Sequence, residues 1–504
     1  MKKTKWFEYL TPLFLAIFPI LSLALENVEF ITFNSILRAL LISIITTAIF
    51  YIIFYLILRD PIKSGILSGS LSFLLLTYGH AYLFLETRFG EGFNHRYLLG
   101  IVAAIFILAG ALFIFRVKSA KELNSIILIG VSVIVGYLLI SFGVYRYRGY
   151  RSEILSEQSS DSFTSNLSEE DISNLPDIYL ILLDGHTRSD VLRDVYDYDN
   201  SEFIDQLEDL GFWVADCSHS NYPATNFSTG SMFEMDYMHN VYEDYDGLVF
   251  PPLNSSAVFR ILDDHHYTTV TFKNFVFEHF NIKDDIRYAR EDSLFGSITE
   301  FEKMMVDTSI LRILIDMEGV FPESWVRPFD DSLYLTHYRD TLYALDTLPT
   351  LTEMDERIFV YAHLLVTHDP YVFMPDGSFS ASKSITPTDY RNSVEFIDNT
   401  LPGIVDEIIN KSETPPIIII MGDHGAPIKG RPLRERIAIL FAIYLQGEEP
   451  EGVYDDMTPV NAFRLIFNDL FDADFELIED LSYDIWTSSE LGNIHDYIAP
   501  YCNP

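Results

Sequence analysis

The 504 residues carry 73 Asp and Glu against 34 Lys and Arg, a formal net charge of −39, with only two cysteines. That length exceeds one ordinary domain, so two or more folded units are expected. Charge of this sign repels polyanions and excludes nucleic acid as a general partner. Two cysteines make no disulfide framework; Cys217 and Cys502 either pair in an oxidising exterior or remain thiols, and their spacing supplies no geometry.

Composition divides the chain near residue 151. Residues 1–151 hold 14 Lys and Arg and 7 Asp and Glu, a balance of +7, whereas the remainder holds 20 and 66, a balance of −46. The first part contains five apolar runs, 6–25, 39–58, 65–85, 97–115 and 126–145, each near the ~20 residues of helix that cross a bilayer. One such run alone reads as a core helix; five in succession predict an all-α, five-helix transmembrane domain over 1–151. Lys2, Lys3 and Lys5 ahead of the first run also suit a signal peptide, but the run is longer than the usual ~7–15 residue signal core and reads as a retained anchor. With the N-terminus inside, the inner segments carry Lys2, Lys3, Lys5, Arg59, Lys63, Arg116, Lys118 and Lys121, while the outer loops carry Arg88 and Arg96 offset by Glu86 and Glu91. The positive-inside rule therefore predicts a multi-pass cell-membrane protein with its large C-terminal region outside. Arg146, Arg148 and Arg151, just beyond the last span, run against this orientation.

Residues 152–176 are rich in Ser, Glu and Asp and read as a flexible tether. From Asp177 onward, apolar runs alternate with amphipathic stretches. The run 177–183 predicts a strand that ends in Asp184-Gly185, and 201–210 predicts a helix stopped by Gly211. Further strands are predicted at 212–215, 268–272, 358–362, 417–421 and 437–445. The fold class expected for 177–504 is α/β, a mixed, mostly parallel sheet flanked by helices.

Four consecutive isoleucines in 417–420 fit a strand buried on both faces, and Gly422-Asp423-His424-Gly425 follows it directly. An Asp beside a His at a strand end, with glycines that let the backbone approach closely, suits part of a metal site built from oxygen and imidazole ligands. Asp184 ends an earlier strand of the same design, and in a parallel sheet the two C-terminal edges coincide. Between them lies Tyr222-Pro223-Ala224-Thr225 in a hydroxyl-rich segment. It is either a simple polar loop or a nucleophile segment, in which a helix starting after Thr225 would aim free N–H groups at an anion.

The order Asp184-Gly185, Tyr222-Pro223-Ala224-Thr225, His368-Asp369-Pro370-Tyr371 and Gly422-Asp423-His424-Gly425 resembles the alkaline phosphatase/sulfatase superfamily. Together with the multi-span anchor, it is similar to the branch that contains lipoteichoic acid synthases and phosphoethanolamine transferases. The resemblance covers about 177–445 and extends to the membrane region in plan only. It implies an alkaline phosphatase-like fold with Asp184, Asp423 and His424 as metal ligands. It further implies Thr225 as a nucleophile that also touches the metal, and His368 as a catalytic group that contacts the substrate's anionic group. Lys273 matches a substrate-binding lysine, although Phe275 stands where the family usually has a histidine.

Two departures narrow the chemistry. Cys217 is followed by Ser-His-Ser-Asn, so the Cys/Ser-x-Pro-x-Arg pattern of formylglycine sulfatases is missing there; His363 and His368 do not form the Asp-x-x-x-His pair of a second metal site. One divalent ion is expected, Zn²⁺ or Mn²⁺ first and Ca²⁺ as a further option. The implied activity is a membrane-anchored, metal-dependent sulfatase-like phosphotransferase or phosphodiesterase acting through Thr225 on a lipid or surface-glycan head group. The second reading is a hydrolase of sulfate or phosphate esters, and the third is an inactive surface binding protein, against which the retained Asp184, Thr225, Asp423 and His424 speak. Donor, acceptor and oligomeric state stay open. His186 and Arg188 either touch substrate or begin a solvated helix, and His219, His265, His266, His279 and His363 read as surface or satisfied core histidines.

Only six lysines fall in 177–504, and dense carboxylates with scarce lysine predict adaptation to high salt, where screening shortens charge repulsion to a few Å. The purified protein is expected to lose its folded signal and activity as salt is dialysed away, followed by circular dichroism. Full retention of both without added salt would refute the adaptation.

Overall fold

The computed structural model describes residues 6–28, 33–89, 94–117, 119–159, 174–241, 256–274, 284–290, 299–317, 320–322, 332–380, 385–426, 428, 432–447, 452–485 and 502. The elements used below are, in chain order, α1 (Thr11–Glu26), α2 (Phe33–Leu58), α3 (Pro61–Phe89), α4 (His95–Arg116), α5 (Lys121–Ser159), β1 (Ile178–Leu183), α6 (Ser189–Tyr196), α7 (Ser201–Asp209), β2 (Trp213–Val214), α8 (Thr225–Glu234), α9 (Ala257–Asp264), β3 (Thr268–Phe272), β4 (Ile286–Tyr288), α10 (Glu300–Thr308), α11 (Arg312–Asp316), α12 (Ser332–Thr347), β5 (Ile358–Leu364), α13 (Pro387–Lys411), β6 (Ile417–Met421), β7 (Phe441–Leu445) and α14 (Pro459–Phe471). The chain divides into two units, Met1–Tyr147 with Ser293–Leu333, and Arg148–Asp292 with Tyr334–Pro504. The second unit is thus interrupted in sequence by a segment of the first.

In the first unit, each of the five apolar runs becomes a helix. Four are long and apolar enough to cross a membrane, Ile36–Leu58, Pro61–Phe89, His95–Arg116 and Lys121–Arg148. The first is shorter than expected. Pro12 sits at the start of α1 and residues Trp6–Tyr9 form a 3₁₀ turn before it, because proline is tolerated in the first helical turn and breaks the hydrogen-bond ladder deeper in. The 16 residues of α1 span about 24 Å, short of the ~30 Å hydrocarbon core. Leu41, Ile45, Ile49, Ile52 and Leu56 of α2, and Ile101, Ile105, Leu108 and Leu112 of α4, are exposed, or partly so, as lipid-facing helices require. Polar side chains are satisfied between helices: Thr11 donates to Asn124 Oδ1 at 2.7 Å and Thr47 to Ser72 Oγ at 2.7 Å.

The inserted part of this unit is anchored to the helices at several points. Arg38 pairs with Glu302, His95 Nε2 lies 3.0 Å from Asp316 Oδ2, and the Ile310 amide donates to Leu75 O at 2.7 Å. Gly79 lets α3 approach the Asp307–Thr308 backbone so closely that a Cβ there would collide with it. Arg38, which the sequence-based topology did not count, lies within α2, and Glu302 neutralises it.

The second unit is built on a seven-stranded sheet of order β2-β7-β6-β1-β5-β3-β4. The run β6-β1-β5-β3-β4 is parallel, and β7 and β2 are antiparallel to their neighbours, which is the mixed, mostly parallel sheet expected. Every residue of β1, β5, β6 and β7 is buried. Side chains alternate between two cores: Ile178, Leu180 and Leu182 meet Phe233 of α8, Phe259 of α9 and Phe463 of α14. Tyr179, Ile181 and Leu183 meet Leu207 of α7, Leu345 of α12 and Phe396 of α13. Covering both faces explains the uninterrupted isoleucines of β6, each contributing about 1.5–3 kcal/mol through burial. Threonine and aspartate at 386 and 389 form a capping box that starts α13.

Three details differ from the sequence reading. β2 is only Trp213–Val214, β7 starts at Phe441, and β4 was not foreseen because three residues centred on Arg287 carry no hydrophobic alternation. The segment 152–176 read as a tether begins as helix, since α5 runs to Ser159, and 160–173 lie outside the described residues. His279 also lies outside them.

Cys217 and Cys502 form a disulfide with a Cα–Cα distance of 5.4 Å. Alkylation is expected to leave both thiols unlabelled until reduction, and Cys217→Ser to lower stability by about 2–4 kcal/mol, read from the denaturation midpoint. Labelling of both cysteines without reductant would refute the bridge.

Candidate active site

Strand β1 ends at Leu183 and β6 at Met421, neighbours in the parallel sheet, so the residues that follow them emerge side by side. Asp184 and Asp423 are both fully buried, and His424 is 1% exposed. Two close backbone approaches hold this edge. The Gly185 amide donates to Asp423 Oδ1 at 3.0 Å, and a Cβ on Gly422 would strike the His186 carbonyl. Gly185 adopts φ 80°, a left-handed conformation open to glycine at little cost.

The three side chains converge. His424 Nε2 lies 3.7 Å from Asp184 Oδ1 and 3.6 Å from Asp423 Oδ2, and one ligand atom from each residue falls within 4.8 Å of the others. Asp184 Oδ1 and Asp423 Oδ2 have no hydrogen-bond partner among the described residues, a costly arrangement for buried carboxylates. Ligand atoms held about 2.0–2.2 Å from a tetrahedral cation are about 3.3–3.6 Å apart. The donor set therefore fits a divalent ion. The His424 ring is prepared for it: Nδ1 donates to Gly425 O at 2.8 Å, which leaves the Nε2 lone pair facing the carboxylates. Burial pushes the His424 pKa down; Asp423 and Asp184 pull it up and Arg436 down, and the net shift is downward, toward the neutral ring that ligates.

Thr225 is the first residue of α8, one position earlier than the sequence reading placed the helix start. Its hydroxyl lies 3.3 Å from His424 Nε2 and 3.5 Å from Asp184 Oδ2. The same position puts it among the unpaired N–H groups and the positive end of the helix dipole. The structure thus brings Asp184, Thr225, Asp423 and His424 together.

His368 joins this edge, its ring centroid 6.3 Å from that of His424, with Nδ1 donating to Asp369 O at 2.8 Å. Burial lowers its pKa, but Asp184 and Asp369 outweigh that and hold it above the ordinary histidine value. Conversely, burial pushes the Asp184 carboxyl up, and His368, His363 and His424 together hold it well below the usual carboxylate range. Lys273 follows β3 on the same C-terminal sheet edge, with β5 between β3 and β1; its amide donates to Tyr288 O at 2.8 Å.

Two further residues reach this cluster that the sequence reading did not place there. His363, read there as an ordinary histidine, donates from Nε2 to Asp184 Oδ2 at 3.0 Å and accepts at Nδ1 from the Tyr361 hydroxyl at 2.9 Å. Its position on β5 opposite Leu182 of β1 is a tertiary register with no local signal. Arg436 donates from Nε to Pro223 O at 2.9 Å and lies 3.5 Å from His424 Nε2. His186 and Arg188, by contrast, belong to neither expected class. His186 is buried against Asp398 at 2.9 Å, and Arg188 is buried against Asp190 at 2.8 Å, so both hold the loop after β1 from behind.

Several solved structures align with this chain. They include the C-terminal periplasmic domain of EptC from Escherichia coli in complex with Zn, at 13% identity and TM-score 0.39 over 62% of this chain and 86% of that one. The lipoteichoic acid synthase LtaP from Listeria monocytogenes aligns at 15% identity and TM-score 0.38, over 66% and 83%. The periplasmic domain of the phosphoethanolamine transferase EptC from Campylobacter jejuni aligns at 14% and 0.37, over 60% and 92%. No curated protein matches the chain. The Sulfatase family profile matches residues 176–469, a stretch that contains β1, α8, β5 and β6 and every residue of the converged site. With more than half of its length inside that match, the chain belongs to the sulfatase family of the alkaline phosphatase superfamily.

Proposed function

We propose that this sulfatase-family enzyme is a membrane-anchored, metal-dependent phosphotransferase or phosphodiesterase that acts on lipid or glycan head groups at the outer membrane surface, with Thr225 as nucleophile. The observation that carries the reading is the Thr225 hydroxyl at a helix N-terminus, 3.3 Å from His424 Nε2 and 3.5 Å from Asp184 Oδ2, in the cluster where Asp184 Oδ1 and Asp423 Oδ2 lack hydrogen-bond partners among the described residues. Asp184, Asp423 and His424 would hold one divalent ion, with Zn²⁺ or Mn²⁺ favoured by a mixed carboxylate and imidazole set and Ca²⁺ by the oxygens alone. Bound there, the ion would lower the pKa of a nearby hydroxyl and neutralise charge on phosphoryl oxygens.

The chain's own groups do the rest. The Thr225 hydroxyl releases its proton to solvent and Oγ1 attacks phosphorus as the bond to the leaving oxygen breaks, which gives a phospho-threonine that water or an acceptor alcohol resolves. The α8 N–H groups face the anion. His368, held toward its protonated form, contacts the anionic group and protonates the leaving oxygen; a cation on Asp184 would offset part of the field that favours that proton. Lys273 is a further substrate contact at the same edge. Sulfate-ester hydrolysis through the same threonine is the second reading, favoured by the family match. A disulfide in the second unit and the apolar helices of the first support a multi-pass protein with its catalytic unit outside.

Incubation of the full chain with Mn²⁺ or Zn²⁺ and phosphodiester lipids is expected to add a phospho-group mass to wild type and none to Thr225→Ala, with turnover lost by roughly 10³-fold or more in the variant. Sulfate release that survives Thr225→Ala, without any phosphoadduct, would refute the threonine mechanism. His363→Ala is expected to weaken divalent-metal affinity about 10–100-fold by freeing Asp184 to rotate, measured by calorimetry on chelator-treated protein. Unchanged affinity would mean that the Tyr361–His363 relay does not position the ligand.

A further inference from the structure

The first unit contains a groove of about 600 Å³ between α2, α3 and the inserted segment around α10, with Arg38, Ile42, Phe50, Leu76, Met305 and Leu311 among its lining. Along α2 it reaches from Arg38 to Phe50, 12 residues of helix or about 18 Å. That matches one leaflet, half of a hydrocarbon core about 30 Å thick. Arg38 sits two residues into the span Ile36–Leu58, so the groove begins at the membrane interface and descends into the apolar layer.

Three of the polar groups on its walls are turned to protein partners, and Thr46 is a further hydroxyl along α2. Ser43 donates to Ala16 O at 3.0 Å, Ser72 Oγ accepts from Thr47 at 2.7 Å and Ser309 donates to Val306 O at 3.3 Å. The ion pair Arg38–Glu302 stands at one end only, with side-chain exposures of 38% and 13%. A ligand lying in the groove therefore meets hydrocarbon along its length and charge at one end. Water would find few hydrogen-bond partners there, and burying an unmet polar group in lipid is costly.

We infer that this groove is a binding site for one acyl chain of a membrane phospholipid, with the head group at the Arg38–Glu302 end. One wall is contributed by a segment inserted between β4 and α12, so the site requires the inserted segment as well as the membrane helices. It involves none of the residues of the Thr225 site.

The test is native mass spectrometry of the full chain taken from phosphatidylglycerol vesicles into mild detergent. Wild type, Thr225→Ala and Leu108→Trp, the last on an exposed face of α4, are expected to retain one phosphatidylglycerol per chain. Ile42→Trp and Leu76→Trp, which fill the groove, are expected to retain about tenfold less, the effect of roughly 1.4 kcal/mol of overpacking. No retained lipid in wild type, or equal retention in the groove variants, would overturn the site. A dimer that Ile42→Trp dissociates would assign the face to a second copy and overturn it as well. Should either groove variant unfold, phosphatidylglycerol with a diazirine at the acyl terminus must label the wild-type segment 39–50, 72–76 or 302–311 above the α4 face; labelling at or below the α4 level would be decisive against the site.

Discussion

Two carboxylates with buried, unpartnered oxygens at one sheet edge are the constraint on which the catalytic unit depends. Asp184 Oδ1 and Asp423 Oδ2 are turned toward His424 Nε2 instead of toward protein donors. In an apolar interior, that arrangement is destabilising unless a cation completes it. Most neighbouring features can be understood as holding those oxygens in place. β1 and β6 pair in parallel so that their ends coincide, Gly422 admits the His186 carbonyl, and the Gly185 amide takes the second Asp423 oxygen.

Behind these carboxylates lies a second layer of hydrogen-bonded side chains. His363 fixes the other oxygen of Asp184, and Tyr361 fixes the tautomer of His363. Thr367 donates to the Asp184 carbonyl at 2.6 Å. His186 lies 3.0 Å from Thr187 O through Nδ1 and 2.9 Å from Asp398 Oδ1, on α13, through Nε2. These hydrogen bonds, with those of Arg188 to Asp190, tie the loop after β1 to its surroundings.

The membrane unit follows the same logic with a different solvent. Its helices expose large apolar side chains outward and settle their hydroxyls inward, and the inserted segment attaches through ion pairs and one backbone hydrogen bond. A membrane would offer no partners for polar groups, and Arg38 is paired with Glu302 and His95 with Asp316.

Several elements could be read directly from the residues. The isoleucine run of β6, the apolar β1 and the long hydrophobic helices are encoded locally, because burial on both faces or immersion in lipid demands continuous apolar sequence. Asp184, Asp423 and His424 stand beside glycine at strand ends and Thr225 follows Pro223 by two residues at a helix start, so their placement had a local signature as well. His363 and Arg436 had none: each reaches the site through a register or a loop return over more than ten residues. The same holds for the Cys217–Cys502 bridge and for the interruption of the catalytic unit by residues of the membrane unit. Secondary structure and strand-end chemistry are short-range consequences of side-chain periodicity and backbone freedom. The partners that orient a ligand, close a disulfide or wall a groove depend on which distant segments packing brings into contact, and only the tertiary structure decides that.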